Sequence, residues 1–348
     1  MQIVTFFHLK EVRWALPDSE RLRLEQRFPG VRIVSIEDPA ELGPALSAAQ
    51  VFAGWQLPRE HFASAKRLRW VHSASAGVEA NLFPELVDSD VILTNSTGLH
   101  SVSIPEHVLG QMLVLARNFH EAIRLQERAE WNRFQVISFG GGIRELQGSN
   151  LAILGAGAIG RSLARLAAAL GMHVRVMRRD PSRAVRGAEM VVGPPALHDL
   201  LAWADWVVCA LPMTAETRRC IDATALRAMR SSAHLINVGR GETIVDDALV
   251  EALSSGAIAG AALDVFAPEP LPADHAFWSL PNLVLTPHIS GYTAQYFQNV
   301  IALFEDNLDR FVHGRPLRNV VDKHLGYARE QDSGRGDMRS ATGEPRKE

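Results

Sequence analysis

The sequence predicts an α/β protein of two doubly wound parallel-sheet domains with a cleft between them. Three observations predict it. Short apolar runs alternate with helix-length segments along most of the chain, the pattern of parallel strands joined by crossovers. A length of 348 residues exceeds what one core ordinarily organises. A glycine-rich strand-to-helix turn near the middle opens a second series of such units.

Composition narrows the function classes. Hydrophobic residues make up 47% and charged residues 22%, an ordinary globular balance. The formal net charge of −3 offers no basic field to nucleic acid or to an anionic membrane, so neither is an expected partner. Any bound anion must be held by a local arginine or a helix N-terminus. Two cysteines, Cys209 and Cys220, make neither a disulfide framework nor a zinc set and read as small buried hydrophobes; no metal site is expected. The opening MQIVTFFHLKEVRW reads as a first strand, not a signal peptide. No uncharged apolar run approaches the roughly 18 residues that span a bilayer, and a cytoplasmic location is expected.

After that first strand come VRIVSI (31–36), QVFAGW (50–55), LRWVHS (68–73) and VILTNS (91–96), each ending in small or polar residues. The stretch SIPEHVLGQMLVLARNFHEAIRLQERAEW (103–131) has helical spacing. Ser103 or a neighbour can cap it and Pro105 fits a first turn. SFGGGIRELQGSN (138–150) breaks the pattern. Further strands lie near LAILGA, HVRVMR, DWVVCALP, AHLINVG, AIAGAALDVF and LVLTPH, followed by a helix over about 293–313. The tail 326–348 contains no Leu, Ile, Val or Phe and cannot bury enough apolar area to offset its ordering cost, so it is expected to be disordered.

The segment LAILGAGAIGRSLARLAAALG places G-x-G-x-x-G at Gly155, Gly157 and Gly160. Gly155 can make the tight turn, Gly157 lets backbone approach a pyrophosphate, and Gly160 lets helix and strand pack closely. The free N–H groups at Ala158 and Ile159 would face the phosphates. In HVRVMRRD (173–180), Val174 and Val176 share one face while Arg175 and Met177 share the other. That strand ends near Met177 or Arg178, and the residue just past its end sits beside an adenosine ribose. The position falls on Arg178, with Arg179 next to it; Asp180, before Pro181, reads as a turn cap. An arginine cannot accept from a 2′-hydroxyl but pairs bidentately with a 2′-phosphate. NADP(H) is the preferred cofactor on this reading and NAD(H) is possible; solvated surface arginines are the plain alternative.

Three later segments carry reactive side chains at strand ends. LINVGRGE sets Arg240 between two glycines, which would give a small ligand room beside the guanidinium. LDVFAPEP sets Glu269 in a proline-bounded turn, and LVLTPHISG sets His288 after an apolar strand. Each signal is weak alone; their order downstream of the nucleotide turn makes the combination specific.

With SASAGVE (73–79), GAGAIG (155–160), LPMTAETR (211–218), NVGRGE (237–242), ALDVFAPEPLP (262–272) and TPHISG (286–291), the chain resembles the D-isomer-specific 2-hydroxyacid dehydrogenases. Within them it resembles the glyoxylate/hydroxypyruvate reductases, over roughly residues 45–320. The resemblance implies a flavodoxin-like substrate domain of residues 1–99 plus 288–325 and a Rossmann dinucleotide-binding domain of residues 100–287. It implies reduction of a small 2-oxo acid to the D-2-hydroxy acid, with His288 as general acid, Glu269 as its partner and Arg240 on the substrate carboxylate and carbonyl. Backbone around Ala76 and Gly77 would hold the carboxylate's other side. Asp264 would face the nicotinamide amide, while Pro212, Thr217, Val238 and Gly239 would line the cofactor cleft. A homodimer using the 103–131 stretch is implied as well. Corepressors of transcription resemble these enzymes too and retain the Arg–Glu–His set, so a nucleotide-sensing binding protein is the alternative.

Particular residues refine the resemblance. Relatives strict for NAD carry an acid where Arg178 stands. Glu269 argues against the formate-oxidising branch, which has glutamine there. The short tail cannot be the regulatory domain of phosphoglycerate-specific relatives. Trp55 and Trp131 could shape the pocket, although a core role is the plainer expectation for both.

Overall fold

The computed structural model describes residues 1–8 and 13–328. In the first sheet, β1 (Gln2–His8), β3 (Arg32–Ser35), β4 (Val51–Gly54), β5 (Trp70–Ser73) and β6 (Ile92–Thr94) are parallel and ordered β3-β1-β4-β5-β6. The short β2 (Arg13–Trp14) adds antiparallel to the end of β1. The interior of β1, IVTFF, is buried throughout, as a strand covered by helices on both faces requires. One face packs Ile3, Phe7, Trp55 and Trp70 against the helix Tyr296–Val312, with Phe304 stacked on Trp70 at 5.3 Å between ring centroids. The other face packs Val4, Phe6, Phe52, Val71 and Leu93.

The second sheet contains β7 (Asn150–Leu154), β8 (His173–Met177), β9 (Met190–Val192), β10 (Trp206–Cys209), β11 (His234–Asn237), β12 (Gly260–Leu263) and β13 (Leu283–Leu285). All are parallel, in the order β13-β12-β11-β10-β7-β8-β9. Each sheet reverses its winding, the first at β1/β4 and the second at β7/β10. In such sheets ligands gather beyond the strand C-terminal ends at that reversal. Those ends carry every catalytic candidate named above.

Some expectations fail, each for a visible reason. The stretch 103–131 is not one helix but two, Ser103–Ala116 and Phe119–Glu127. Asn118 breaks it with φ 53°, a left-handed conformation that Asn tolerates. Its side chain donates to the carbonyls of Val136 and Phe139. Ser103 lies inside the first turn rather than at the cap, which is Val102. Trp55 is a core residue, but Trp131 is 92% exposed. Cys209 is buried as expected, while Cys220 is only partly so.

The tail expectation fails at its start. β14 (Val321–Asp322) and β15 (Tyr327–Ala328) form an antiparallel pair, so residues 326–328 belong to it; residues 329–348 lie outside the described residues. Lys323 secures the pair by donating to the carbonyls of Leu86, Ser89 and Val91, and Tyr327 meets Arg179. Among the described residues, no helix is long and apolar enough to cross a membrane.

Candidate active site

The nucleotide turn follows from three glycines doing different work. Gly155, just past β7, has φ 108°, which only glycine adopts without strain. A Cβ on Gly160 would sit 1.9 Å from the Gly155 carbonyl oxygen, so the helix Ala158–Ala169 could not pack on the turn. A Cβ on Gly157 would meet nothing within 4 Å; open space adjoins the helix N-terminus where Ala158 and Ile159 begin. An open face, a helix start of free N–H groups and a tight glycine turn fit a dinucleotide pyrophosphate.

Strand β8 ends at Met177, as side-chain phase predicts, and Arg178 is the first residue beyond it. Its N–H donates to the Val192 carbonyl, tying this position to β9. Arg161 joins it. Burial, then the positive charges of Arg178 and Arg183, hold the Arg161 pKa below the usual arginine value, while its Nη1 donates to the Ala156 carbonyl. Arginines thus crowd one another beside the turn, a setting suited to a phosphate. Neither Arg161 nor Arg183 stands out in the sequence, although Arg161 directly follows Gly160. Asp180 accepts from the N–H and the hydroxyl of Ser182, so it caps its own turn. Arg179 donates to the Tyr327 hydroxyl and lies 3.9 Å from Glu216.

Past β10, the Thr217 hydroxyl donates to the Pro212 carbonyl at 2.6 Å and accepts from the Thr214 N–H at 2.8 Å, folding this loop over the strand end. Past β11, the two glycines around Arg240 serve the backbone rather than a ligand, contrary to the sequence reading. A Cβ on Gly239 would lie 2.6 Å from the Leu211 oxygen, and one on Gly241 2.1 Å from the Phe266 carbonyl carbon. Buried Val238 and a bond from the Gly239 N–H to the Asn237 side chain fix the loop further.

Two turns bring Glu269 and His288 together. Glu269 accepts from the Phe266 N–H at 2.8 Å through one oxygen and meets His288 Nδ1 at 2.7 Å through the other. The hydrogen bond to Glu269 raises the His288 pKa, more than offsetting burial and the opposing charge of Arg240. Burial alone would raise Glu269, but the bonds from His288 and Phe266 and the charges of His288 and Arg240 hold it below the usual carboxylate value. His288 itself has φ 53°, a strained backbone for a non-glycine residue. Fully buried Asp264 holds that turn. Its carboxylate accepts from the Thr286 hydroxyl and from the N–H groups of Ile289 and Ser290, at 2.6, 3.0 and 3.0 Å.

The first sheet supplies the facing wall. A Cβ on Gly77 would fall 1.7 Å from Arg240 Nη2, so the guanidinium lies directly on the Gly77 backbone. Asn95 donates to the neighbouring Ala76 carbonyl at 2.6 Å. Glu79 accepts from Arg240 Nε at 2.9 Å. His100, stacked on Tyr296, has its pKa lowered first by burial; the charges of His288 and Arg240 also disfavour its protonation. Neither Glu79 nor His100 was singled out by sequence reasoning. Glu79 ends the SASAGVE segment, which was the available signal; His100 had none.

Residues 109–290 match the family model described as D-isomer specific 2-hydroxyacid dehydrogenase, NAD binding domain. The chain is 32% identical over 311 residues to a glyoxylate/hydroxypyruvate reductase B of Pectobacterium atrosepticum, covering 88% of this chain and 96% of that one. It belongs to the D-isomer-specific 2-hydroxyacid dehydrogenase family. It is an oxidoreductase carrying the family's NAD-binding domain. Among solved structures, it resembles an NADPH-dependent glyoxylate/hydroxypyruvate reductase from Sinorhizobium meliloti in complex with NADP and sulfate. That likeness has a TM-score of 0.79 at 28% identity and covers 94% of this chain and 99% of the other. A dehydrogenase of the same family from Xanthobacter autotrophicus, in complex with NADPH and MES, has a TM-score of 0.78 at 28% identity. It covers the same shares of the two chains.

Proposed function

We propose that the protein reduces a small 2-oxo acid of the glyoxylate or hydroxypyruvate kind to the D-2-hydroxy acid. NADP(H) is the preferred cofactor and NAD(H) the second. The carrying observation is the His288–Glu269 pair at 2.7 Å, in the same cleft as a guanidinium seated on the Gly77 backbone. Residues 1–99 with 288–325 form the substrate-binding domain and residues 100–287 the dinucleotide-binding domain. The names of the relatives support the substrate class, and the arginines around Arg178 support the phosphorylated cofactor.

Gly155, Gly157, Ala158, Ile159 and Gly160 and the loops of Pro212, Thr217, Val238 and Gly239 would hold the dinucleotide, which would supply the hydride for the carbonyl carbon. Arg240 binds the substrate carboxylate and polarises the carbonyl, with the backbone of Ala76 and Gly77 on the other side. His288 engages Glu269 through Nδ1, so Nε2 is the nitrogen that gives its proton to the carbonyl oxygen. Glu269 orients the ring and stabilises the imidazolium before transfer. Asp264 keeps the His288 turn in place beside the nicotinamide end of the cleft. Arg178 would pair with the 2′-phosphate, with Arg179 next to it in the chain.

A homodimer is part of the proposal. Val102, Phe119, Ile123, Trp131, Phe134 and Ile137 are all exposed apolar side chains between residues 102 and 137, and a partner copy placed there would take them out of water. Sedimentation equilibrium should return twice the chain mass, and Trp131→Asp with Phe134→Asp should return one. A wild-type monomer at micromolar concentration would refute the dimer.

Wild-type enzyme should oxidise NADPH when given glyoxylate or hydroxypyruvate. His288→Gln should lower kcat by roughly 10²- to 10⁴-fold, the usual contribution of a general acid, while the NADPH dissociation constant stays within about twofold. An unchanged kcat would remove His288 from the chemistry. Arg178→Asp should lower the ratio of kcat/KM with NADPH to that with NADH by roughly 10- to 100-fold, the weight of a charge-assisted bond. A ratio that does not move would reject the 2′-phosphate assignment.

A further inference from the structure

We infer that Glu79 is a positioning residue: it aims the Arg240 guanidinium at the substrate carboxylate from the opposite wall of the cleft. The inference rests on the proposal that Arg240 binds that carboxylate.

Donor counting carries the argument. A guanidinium has five N–H bonds in one plane. The Arg240 Nε–H donates to Glu79 Oε1 at 2.9 Å, and Nη2 lies 3.5 Å from Oε2. Nη1 donates to the Gly239 carbonyl at 2.7 Å. The side edge of the fork is therefore given to Glu79 and one Nη1 hydrogen to the arginine's own loop. One N–H on Nη1 and one on Nη2 are left, two donors for the oxygens of a carboxylate. A guanidinium held at both edges loses little further freedom when it binds.

The two residues are 161 positions apart and come from different sheets, Glu79 following β5 and Arg240 following β11. Gly77 makes the approach possible, because any side chain there would overlap Nη2. Glu269 is committed elsewhere, its two oxygens meeting the Phe266 N–H and His288. Glu79 is itself 42% exposed at its side chain, so its truncation opens no cavity. A solvent-exposed ion pair of this kind contributes little to stability. Its consequence is directional: without Glu79 the guanidinium can rotate off Gly77, and the carboxylate must restore the order at a cost in affinity.

The test is calorimetric binding of oxamate, a non-turning-over 2-oxo acid mimic, to the NADPH-loaded enzyme, with KM and kcat for glyoxylate alongside. Glu79→Ala should weaken oxamate and raise KM by about tenfold or more, the scale of a misplaced binding group, with NADPH affinity and melting temperature unchanged. Glu79→Gln keeps a carbonyl oxygen for Nε and should recover most of the loss. In an Arg240→Ala background the Glu79→Ala effect on oxamate should vanish. If Arg240→Ala weakens oxamate while Glu79→Ala leaves it unchanged or tighter, Glu79 does not position Arg240. If Arg240→Ala itself leaves oxamate binding intact, the carboxylate role of Arg240 fails instead, and the inference falls with it.

Discussion

The Asp264 carboxylate is the constraint on which the site depends. It sits fully buried just beyond β12, where it accepts from a hydroxyl and two backbone N–H groups of residues 286–290 and has His107 Nε2 at 3.8 Å. A buried carboxylate without such partners would be too costly to keep. Satisfying it forces the chain leaving β13 into a tight turn and drives His288 into a left-handed backbone conformation. The ring then reaches Glu269. The same turn starts the passage of the chain back to the first sheet, where the helix Tyr296–Val312 packs on Trp70. One carboxylate therefore couples the return crossing of the fold to the placement of the proposed acid.

Charge is distributed along the cleft in a consistent way. Near the proposed substrate, Arg240 and His288 are each matched by a carboxylate, Glu79 and Glu269. That region offers oriented donors without a large positive field. Around Arg178 several positive charges meet: those of Arg178 and Arg183 depress the Arg161 pKa after burial has already lowered it, and, after the bonds from Ser182, they also help hold the nearby Asp180 carboxyl below its usual value. The first arrangement suits a single small carboxylate; the second suits a phosphate. A chain with a net charge of −3 thus attracts anions at two places without being basic overall.

Much of this was legible because it is local. Most strands of both sheets were visible as short apolar runs, and all three glycines of the nucleotide turn fell where strand and helix meet; the three-residue β9 was missed, and β2 was merged into the first strand. Side-chain phase along HVRVM placed Arg178 just past β8, where it lies. What stayed illegible depends on contacts between distant residues. The break at Asn118 is fixed by carbonyls of Val136 and Phe139. The β14–β15 pair forms because Lys323 finds carbonyls more than 200 positions away. Composition alone therefore misread residues 326–328. The glycines beside Arg240 looked like space for a ligand, yet they are space for Leu211 and Phe266, because a motif records which residue is small but not what lies against it. Glu79 was written in a recognisable segment, but its role exists only once β5 and β11 face each other.

The central claim is that His288 donates a proton under the control of Glu269, and the pH dependence of kcat for glyoxylate reduction at saturating NADPH tests it most directly. A raised His288 pKa keeps the imidazolium populated above the ordinary histidine value of about 6.5. Wild-type kcat should therefore hold as pH rises through that value and fall only beyond it. Glu269→Gln removes the main cause of the raised pKa, so its falling limb should move to lower pH. A limb that keeps its position in Glu269→Gln would contradict the account.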